Sequence, residues 1–123
     1  MIDNKMLQTI YDEIDKFLPS NWEKLIVYLE YGKTSYSISF YIGLSGKYIK
    51  CYDLPDVTDD DLADTFYRID KVVSKERNQD KEPWSNMTVV IDNNGRIHAD
   101  LDYTDLLKDS YKYNKEWKKK YLA

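Results

Sequence analysis

Residues Glu82–Tyr103 read EPWSNMTVVIDNNGRIHADLDY, and this stretch decides the fold. Met87, Val89 and Ile91 alternate with Asn86, Thr88, Val90 and Asp92; after Asn93-Asn94-Gly95 the alternation resumes in Ile97, Ala99, Leu101 and Tyr103. A period of two marks a β-strand with one buried face, and Asn-Asn-Gly supplies residues that tolerate positive φ, so the segment predicts a hairpin. Both strands then turn their apolar residues to one side. The other side of the second strand carries Arg96, His98, Asp100 and Asp102, a polar stripe expected to face water or a partner.

Working outward, the chain before the hairpin supplies the elements that such a face needs. Met6, Leu7, Ile10, Ile14, Phe17 and Leu18 fall at helical spacing within Asp3–Leu18, and Pro19 stops that helix. Trp22–Tyr31 alternates Leu25, Val27 and Leu29 with Lys24, Ile26, Tyr28 and Glu30, which predicts a strand partly apolar on both faces. Gly32-Lys33 turns it into Ser35–Ile42, where serine alternates with large apolar residues; Gly43–Gly46 is read as a second turn and Lys47–Tyr52 as a weaker third strand holding Cys51. Pro55 breaks the sheet. Thr58-Asp59-Asp60-Asp61 then matches a capping box, opening a helix whose stripe is Leu62, Phe66, Ile69 and Val73 and whose pattern dissolves over Lys75–Lys81. Beyond the hairpin, Thr104 or Asp102 is placed as the cap of a last helix packing through Leu106, Leu107, Tyr111, Trp117 and Tyr121. The order helix, three strands, helix, two strands, helix, with mostly short connections, predicts an α+β fold: a mainly antiparallel sheet of about five strands with helices over its apolar face. The length, residues 1–123, suits a single domain.

Composition narrows the function classes. Hydrophobic residues make up 42% and charged residues 33%, ordinary for a soluble folded chain. No signal-peptide run or membrane-length apolar stretch occurs, so a cytoplasmic protein without a membrane partner is expected. The lone Cys51 has no cysteine to pair with. Twelve tyrosines suit amphipathic borders and interfaces. The net charge of −4 is unevenly spread: residues 53–64 contain Asp53, Asp56, Asp59, Asp60, Asp61 and Asp64 with no base, whereas residues 111–123 contain Lys112, Lys115, Lys118, Lys119 and Lys120 against Glu116. An acidic patch repels nucleic acid and attracts a basic protein.

Chemistry is sparse. His98 is the one histidine, and a small hydrolase would have to use it with Asp100 or Asp102, two and four residues on along the same strand face. An exposed strand histidine beside solvated aspartates is the plainer reading. Asp100 with Asp102, and Asp59-Asp60-Asp61, lack the loop of oxygen ligands around a central glycine that calcium hands use. Gly43, Gly46 and Gly95 form neither a phosphate loop nor a dinucleotide fingerprint, so no cofactor is expected and turns explain them. The lysine tail mixed with Tyr111, Trp117 and Tyr121 would suit a nucleic-acid-binding module, but helix packing and the helix dipole account for it better, and direct nucleic-acid binding is not expected. The residues alone describe an acidic, tyrosine-rich α+β domain better suited to binding than to catalysis.

The order of elements, with IYDEIDKFLPSNWEKL near the start, EPWSNMTVVIDNNGRIHADLDY in the hairpin and YKYNKEW near the end, resembles the YezG/EsaG-like immunity proteins. The likeness runs from Ile10 to Trp117 and is densest at Glu82-Pro83-Trp84, Gly95, Asp102-Tyr103 and Tyr111–Tyr113. It implies a bacterial cytoplasmic antitoxin that binds a cognate toxin exported by type VII secretion, commonly an LXG-type protein with a C-terminal nuclease domain, without catalysis or cofactor. The expected contact set is Asp53, Asp56, Asp59, Asp60, Asp61 and Asp64, and the second choice is the Arg96, His98, Asp100 and Asp102 face.

Overall fold

The computed structural model describes residues 3–123, the side chain of Asp109 excepted. The elements are α1 (Asn4–Ile14), β1 (Lys24–Tyr31), β2 (Tyr36–Leu44), β3 (Lys47–Lys50), α2 (Asp59–Arg77), β4 (Asn86–Asp92), β5 (Ile97–Asp102) and α3 (Leu106–Tyr121). The strands form one antiparallel sheet in the order β3-β2-β1-β4-β5, as the α+β reading expects. Strand β1 is central because α2 carries the chain across the sheet and returns β4 to its free side.

Register converts the alternation into rows. Ile49, Ile42, Leu25, Ile91 and Ile97 run side by side across the sheet; Phe40, Val27, Val89 and Ala99 form the next row, and Ile38, Leu29, Met87 and Leu101 the third. Shifting any strand by one residue would turn its members of these rows to the opposite face, so the pattern pins the pairing. Onto the rows pack Met6, Leu7, Ile10 and Ile14 of α1 and Leu62, Phe66, Ile69 and Val73 of α2, all buried. Burying each such side chain contributes on the order of 1.5–3 kcal/mol, which makes this layer the main stabilising one.

Local signals set the element ends. The Asp3 carboxylate accepts from Lys5 N at 3.0 Å and caps α1. At α2 the Thr58 hydroxyl accepts from Asp61 N at 3.1 Å while the Asp61 carboxylate accepts from Thr58 N at 3.4 Å, the reciprocal capping box. In the β4–β5 turn Gly95 alone takes positive φ, +87°; its amide donates to Asp92 O, and the Asp92 carboxylate accepts from Asn94 N and Arg96 N. This is a three-residue loop of type I turn plus bulge.

Four expectations need correction. The third strand stops at Lys50, and Cys51–Asp53 is a 3-10 turn that folds Cys51 inward among the core residues rather than continuing an edge with polar residues on it. Gly43 lies within β2, not in the turn; a Cβ there would come 3.1 Å from the Tyr48 ring, and the turn itself is Ser45-Gly46, with φ of +52° and +78°. The cap of α3 is Asp105, whose carboxylate accepts from Leu107 N, because the Asp102 carboxylate is already held by the amide and hydroxyl of Thr104. Finally, α3 does not pack through Leu107 and Tyr111, which are 94% and 82% exposed; Leu106, Tyr113, Trp117 and Tyr121 face the protein instead.

Candidate functional site

The second face of the sheet is the less apolar one. Its rows are Tyr41, Ile26, Val90 and His98; Ser39, Tyr28, Thr88 and Asp100; and Ser37, Glu30, Asn86 and Asp102. The polar stripe on β5 is thus the margin of a broad polar and aromatic surface, and α3 lies on it. Tyr113 donates to Asn86 Oδ1 at 2.9 Å and to Asp102 Oδ2 at 3.0 Å. The Trp117 indole donates to Thr88 Oγ1 at 2.8 Å, with its ring centroid 5.1 Å from Tyr28, 5.6 Å from Tyr41 and 5.2 Å from Tyr121. Tyr121 donates to Asp100 Oδ2 at 2.5 Å. Asn86 and Thr88 are buried polar residues, and these bonds satisfy them.

Those partners shape the titration of the stripe. Partial burial pushes the Asp100 carboxyl up, but the bonds from Tyr121 and His98 outweigh it and leave its pKa below the ordinary value. Asp102 behaves alike: burial raises it, and the Thr104 hydroxyl and amide with the Tyr113 hydroxyl bring it lower. Tyr113 moves the opposite way, to about 12, through burial first and the carboxylate it serves second.

His98 Nε2 lies 2.6 Å from Asp100 Oδ1, so the pair that a hydrolase would need is brought together. It sits on an edge strand with the His98 side chain 68% exposed. A hollow of about 320 Å³ between β5 and α3 is lined by Asp100, Asp102, Glu116, Lys120 and Tyr121 among others, but His98 is not in its wall. The histidine thus stands exposed outside that hollow, while its partner Asp100 is part of the wall. Among the described residues no three His, Cys, Asp or Glu side chains converge as metal ligands would.

The other candidate surface lies at the start of α2. Asp53, Asp56, Asp59, Asp60, Asp61 and Asp64 are all exposed, and none takes part in an ion pair among the described residues. Three of them occupy the first turn of α2, where the helix dipole favours negative charge. Two residues that the sequence did not single out accompany them: Tyr52 and Tyr67 are half exposed. Burial, and then Cys51 and Asp59, push the Tyr52 hydroxyl up. Tyr67 stands one helical turn beyond Asp64, with Lys71 Nζ 4.7 Å from its ring centroid, so its face already receives an ammonium. A tyrosine pattern alone could not separate these from core tyrosines; their position directly before and three residues after the acidic run was the available signal.

The lysines Lys112, Lys115, Lys118, Lys119 and Lys120 lie on the exposed sides of α3. Trp117 and Tyr121 are turned into the sheet, so two of the three rings that would stack on bases are occupied and Tyr111 is left exposed. No helix among the described residues is long and apolar enough to cross a membrane.

Helices cover both faces of the sheet, an exposed acidic surface lies at the start of α2, and the histidine stands outside the hollow beneath α3. The family is shown by comparison: the family model "Immunity protein YezG-like" matches residues 4–123, and the chain belongs to that family. Two relatives are each named "Immunity protein YezG". The one from Bacillus spizizenii strain W23 is 25% identical over 111 residues, covering 83% of this chain and 69% of its own length. The one from Bacillus subtilis strain 168 is 24% identical over 130 aligned positions, covering 96% of this chain and 86% of its own length.

Proposed function

We propose that this chain is the cytoplasmic immunity protein of a cognate toxin exported by the type VII secretion system, an LXG-type protein with a nuclease domain, and that it neutralises the toxin by binding alone. The observation that carries this reading is the exposed, unpaired acidic surface of Asp53, Asp56, Asp59, Asp60, Asp61 and Asp64 on a member of an immunity-protein family. A nuclease must hold phosphates with basic residues, so an acidic inhibitor is steered toward that surface and competes with nucleic acid for it. Protection in a cell requires tight binding, and nanomolar affinity corresponds to about −12 kcal/mol. Charge supplies rate and selectivity; aromatic anchors supply most of the energy, and Tyr52 and Tyr67, half exposed and flanking the acidic run in sequence, are the candidate anchors. The β5 stripe of Arg96, His98, Asp100 and Asp102, its first two residues exposed and its last two also anchoring α3, is the second-choice contact set.

The test uses the cognate toxin domain, sought in an adjacent reading frame for a large LXG-type protein. Replacing all six aspartates of the first set with asparagine keeps their size, and leaves residue 61 an oxygen for its capping bond. Association with the toxin domain should slow by one to two orders of magnitude at low salt, on the order of the steering effect for charged pairs, and its salt dependence should flatten. Protection of cells expressing the toxin should fall in parallel. Unchanged association rates together with unchanged protection would remove this surface from the mechanism.

A further inference from the structure

We propose that β5 is a self-pairing edge: two copies of this chain join antiparallel through Ile97–Asp102, extending the sheet across a two-fold axis at Ala99. The two sheet edges are treated differently. Strand β3 is four residues long with a lysine at each end, and charged, short strands resist edge-to-edge pairing. Strand β5 is six residues long, contains neither lysine nor proline, and among the described residues has no strand on its outer side.

Backbone parity fixes which groups are on offer. The bond from Asp92 N to Arg96 O closes the β4–β5 turn, and the register pairs Val90 with His98, Thr88 with Asp100 and Asn86 with Asp102. In an antiparallel ladder alternate residues direct their N–H and C=O to the same neighbour, so those of Ile97, Ala99 and Leu101 point outward from the sheet. Placing Ala99 opposite Ala99 of a second copy sets Ile97 opposite Leu101 of that copy, and all three outward positions on each strand find hydrogen-bonding partners.

The side chains select the same register. Along the stripe the sequence runs Arg96, His98, Asp100, Asp102, basic groups on one side of Ala99 and acidic groups on the other. With Ala99 on the axis, His98 meets Asp100 of the second copy and Arg96 meets Asp102, twice over by symmetry. These are the non-hydrogen-bonded pairs, whose side chains stand closest. Sliding by one pairing step in either direction places His98 against His98 or Asp100 against Asp100, and like groups facing each other are unfavourable. Within one chain Asp100 is held by Tyr121 and His98, and Asp102 by Tyr113 and Thr104, so the cross-copy pairs add to bonds that already fix both carboxylates on this face. On the opposite face Ile97 is 37% exposed, although it belongs to an apolar row, and the register covers it with Leu101 of the second copy.

The mass of the full chain, measured by light scattering or sedimentation across a concentration series, tests this. The expected result is a rise from 14.7 kDa to twice that mass. Ala99→Pro removes an outward N–H that the monomer does not use, a position where an edge strand tolerates proline, and should weaken dimerisation on the order of a hundredfold because symmetry doubles the loss. Register is read independently by cysteine cross-linking, with Cys51 buried in the core as an internal control. A mixture of His98→Cys and Asp100→Cys chains should form a disulfide between the two kinds of chain, and neither variant should cross-link with itself. Self-cross-linking of either variant, or a dimer insensitive to Ala99→Pro, would overturn the proposed pairing. A mass of one chain at every concentration would also overturn it and leave the edge to a strand of a different protein.

Discussion

Removing the Trp117 side chain should release α3 while the rest of the protein stays folded. Trp117 is the one buried hydrophobic residue of α3 among the described residues, and α3 makes no backbone hydrogen bond to the sheet among those described. Truncating a buried tryptophan to alanine costs about 3–5 kcal/mol, the three ring contacts and the Thr88 bond being lost together. What remains is the partly buried Leu106 and the hydroxyl bonds of Tyr113 to Asn86 and Asp102 and of Tyr121 to Asp100, and a helix of 16 residues is marginal in water by itself. The magnitude therefore approaches the whole docking free energy of α3. Hydrogen exchange followed by mass spectrometry should show α3 amides losing protection by about two to three orders of magnitude in Trp117→Ala, since about 1.4 kcal/mol corresponds to a factor of ten. Amides of β1 and β4, strands with neighbours on both sides and a face under α1 and α2, should retain most of theirs. Trp117→Phe is the graded control: it keeps a ring but leaves the buried Thr88 hydroxyl without its donor, costing about 1–3 kcal/mol. Equal loss of protection in α3 and in β1 would refute a separable layer, because it would place both in one cooperative unit.

The same layer should respond to acid. Asp100 and Asp102 have folded pKa values below the ordinary carboxylate value, so their contribution is present above the unfolded pKa, about 4, and is lost as pH falls through the lower folded values. Exchange of α3 should accelerate below that pH ahead of the strands, and Asp100→Asn should flatten the dependence; a flat wild-type profile would contradict it. Alkali tests the tyrosines with the opposite sign. Burial, then a hydrogen bond to a carboxylate, raises Tyr28, Tyr31 and Tyr121, and Tyr113 reaches about 12, so their contribution is complete below the unfolded value near 10 and is lost as pH rises through the folded values. Ultraviolet titration should show this subset ionising late or only with unfolding, whereas all twelve tyrosines ionising in one step near pH 10 would exclude it. Thr58→Ala should lower stability to denaturant by about 1 kcal/mol through loss of the α2 cap, and a change indistinguishable from zero would mean that Asp61 alone secures that end.

Much of the fold was legible because it rests on short-range rules. Period-two alternation named β1, β2, β4 and β5, and Thr58 with Asp61 announced α2. The apolar face followed, since Leu25, Val27 and Leu29 have no other place to go. The position of α3 was not legible, and the reason is physical. Its sequence holds two interleaved sets, Leu107 with Tyr111 and Leu106 with Tyr113, Trp117 and Tyr121, and hydrophobic spacing cannot choose between them. The second set wins because its hydroxyls and indole reach Asn86, Thr88, Asp100 and Asp102, an interface made largely of hydrogen bonds that a hydrophobicity pattern does not register. For the same reason the β5 stripe was read as simply outward. Its outer half, Arg96 and His98, is exposed, while Asp100 and Asp102 are also anchors for α3.

The charge clusters invite one further distinction. Lys118, Lys119 and Lys120 close α3, and Asp59, Asp60 and Asp61 open α2, so each group opposes the dipole of its own helix and has a structural reason to be there. Charge at a helix end is thus weak grounds for a binding surface. Asp53, Asp56 and Asp64 differ: the first two lie before the helix and the third beyond its first turn, where a dipole acting over one turn stabilises them little. Asp56 even holds positive φ, 60°, in a backbone conformation that costs most side chains energy. These three carboxylates, crowded beside three others and in no ion pair among the described residues, raise self-repulsion, eased at Asp53 by Lys47, Lys50 and Lys118, which line one hollow with it. If the acidic surface meets a basic toxin, they are the members of the set whose presence that contact explains best, and their loss should affect association while leaving α2 intact.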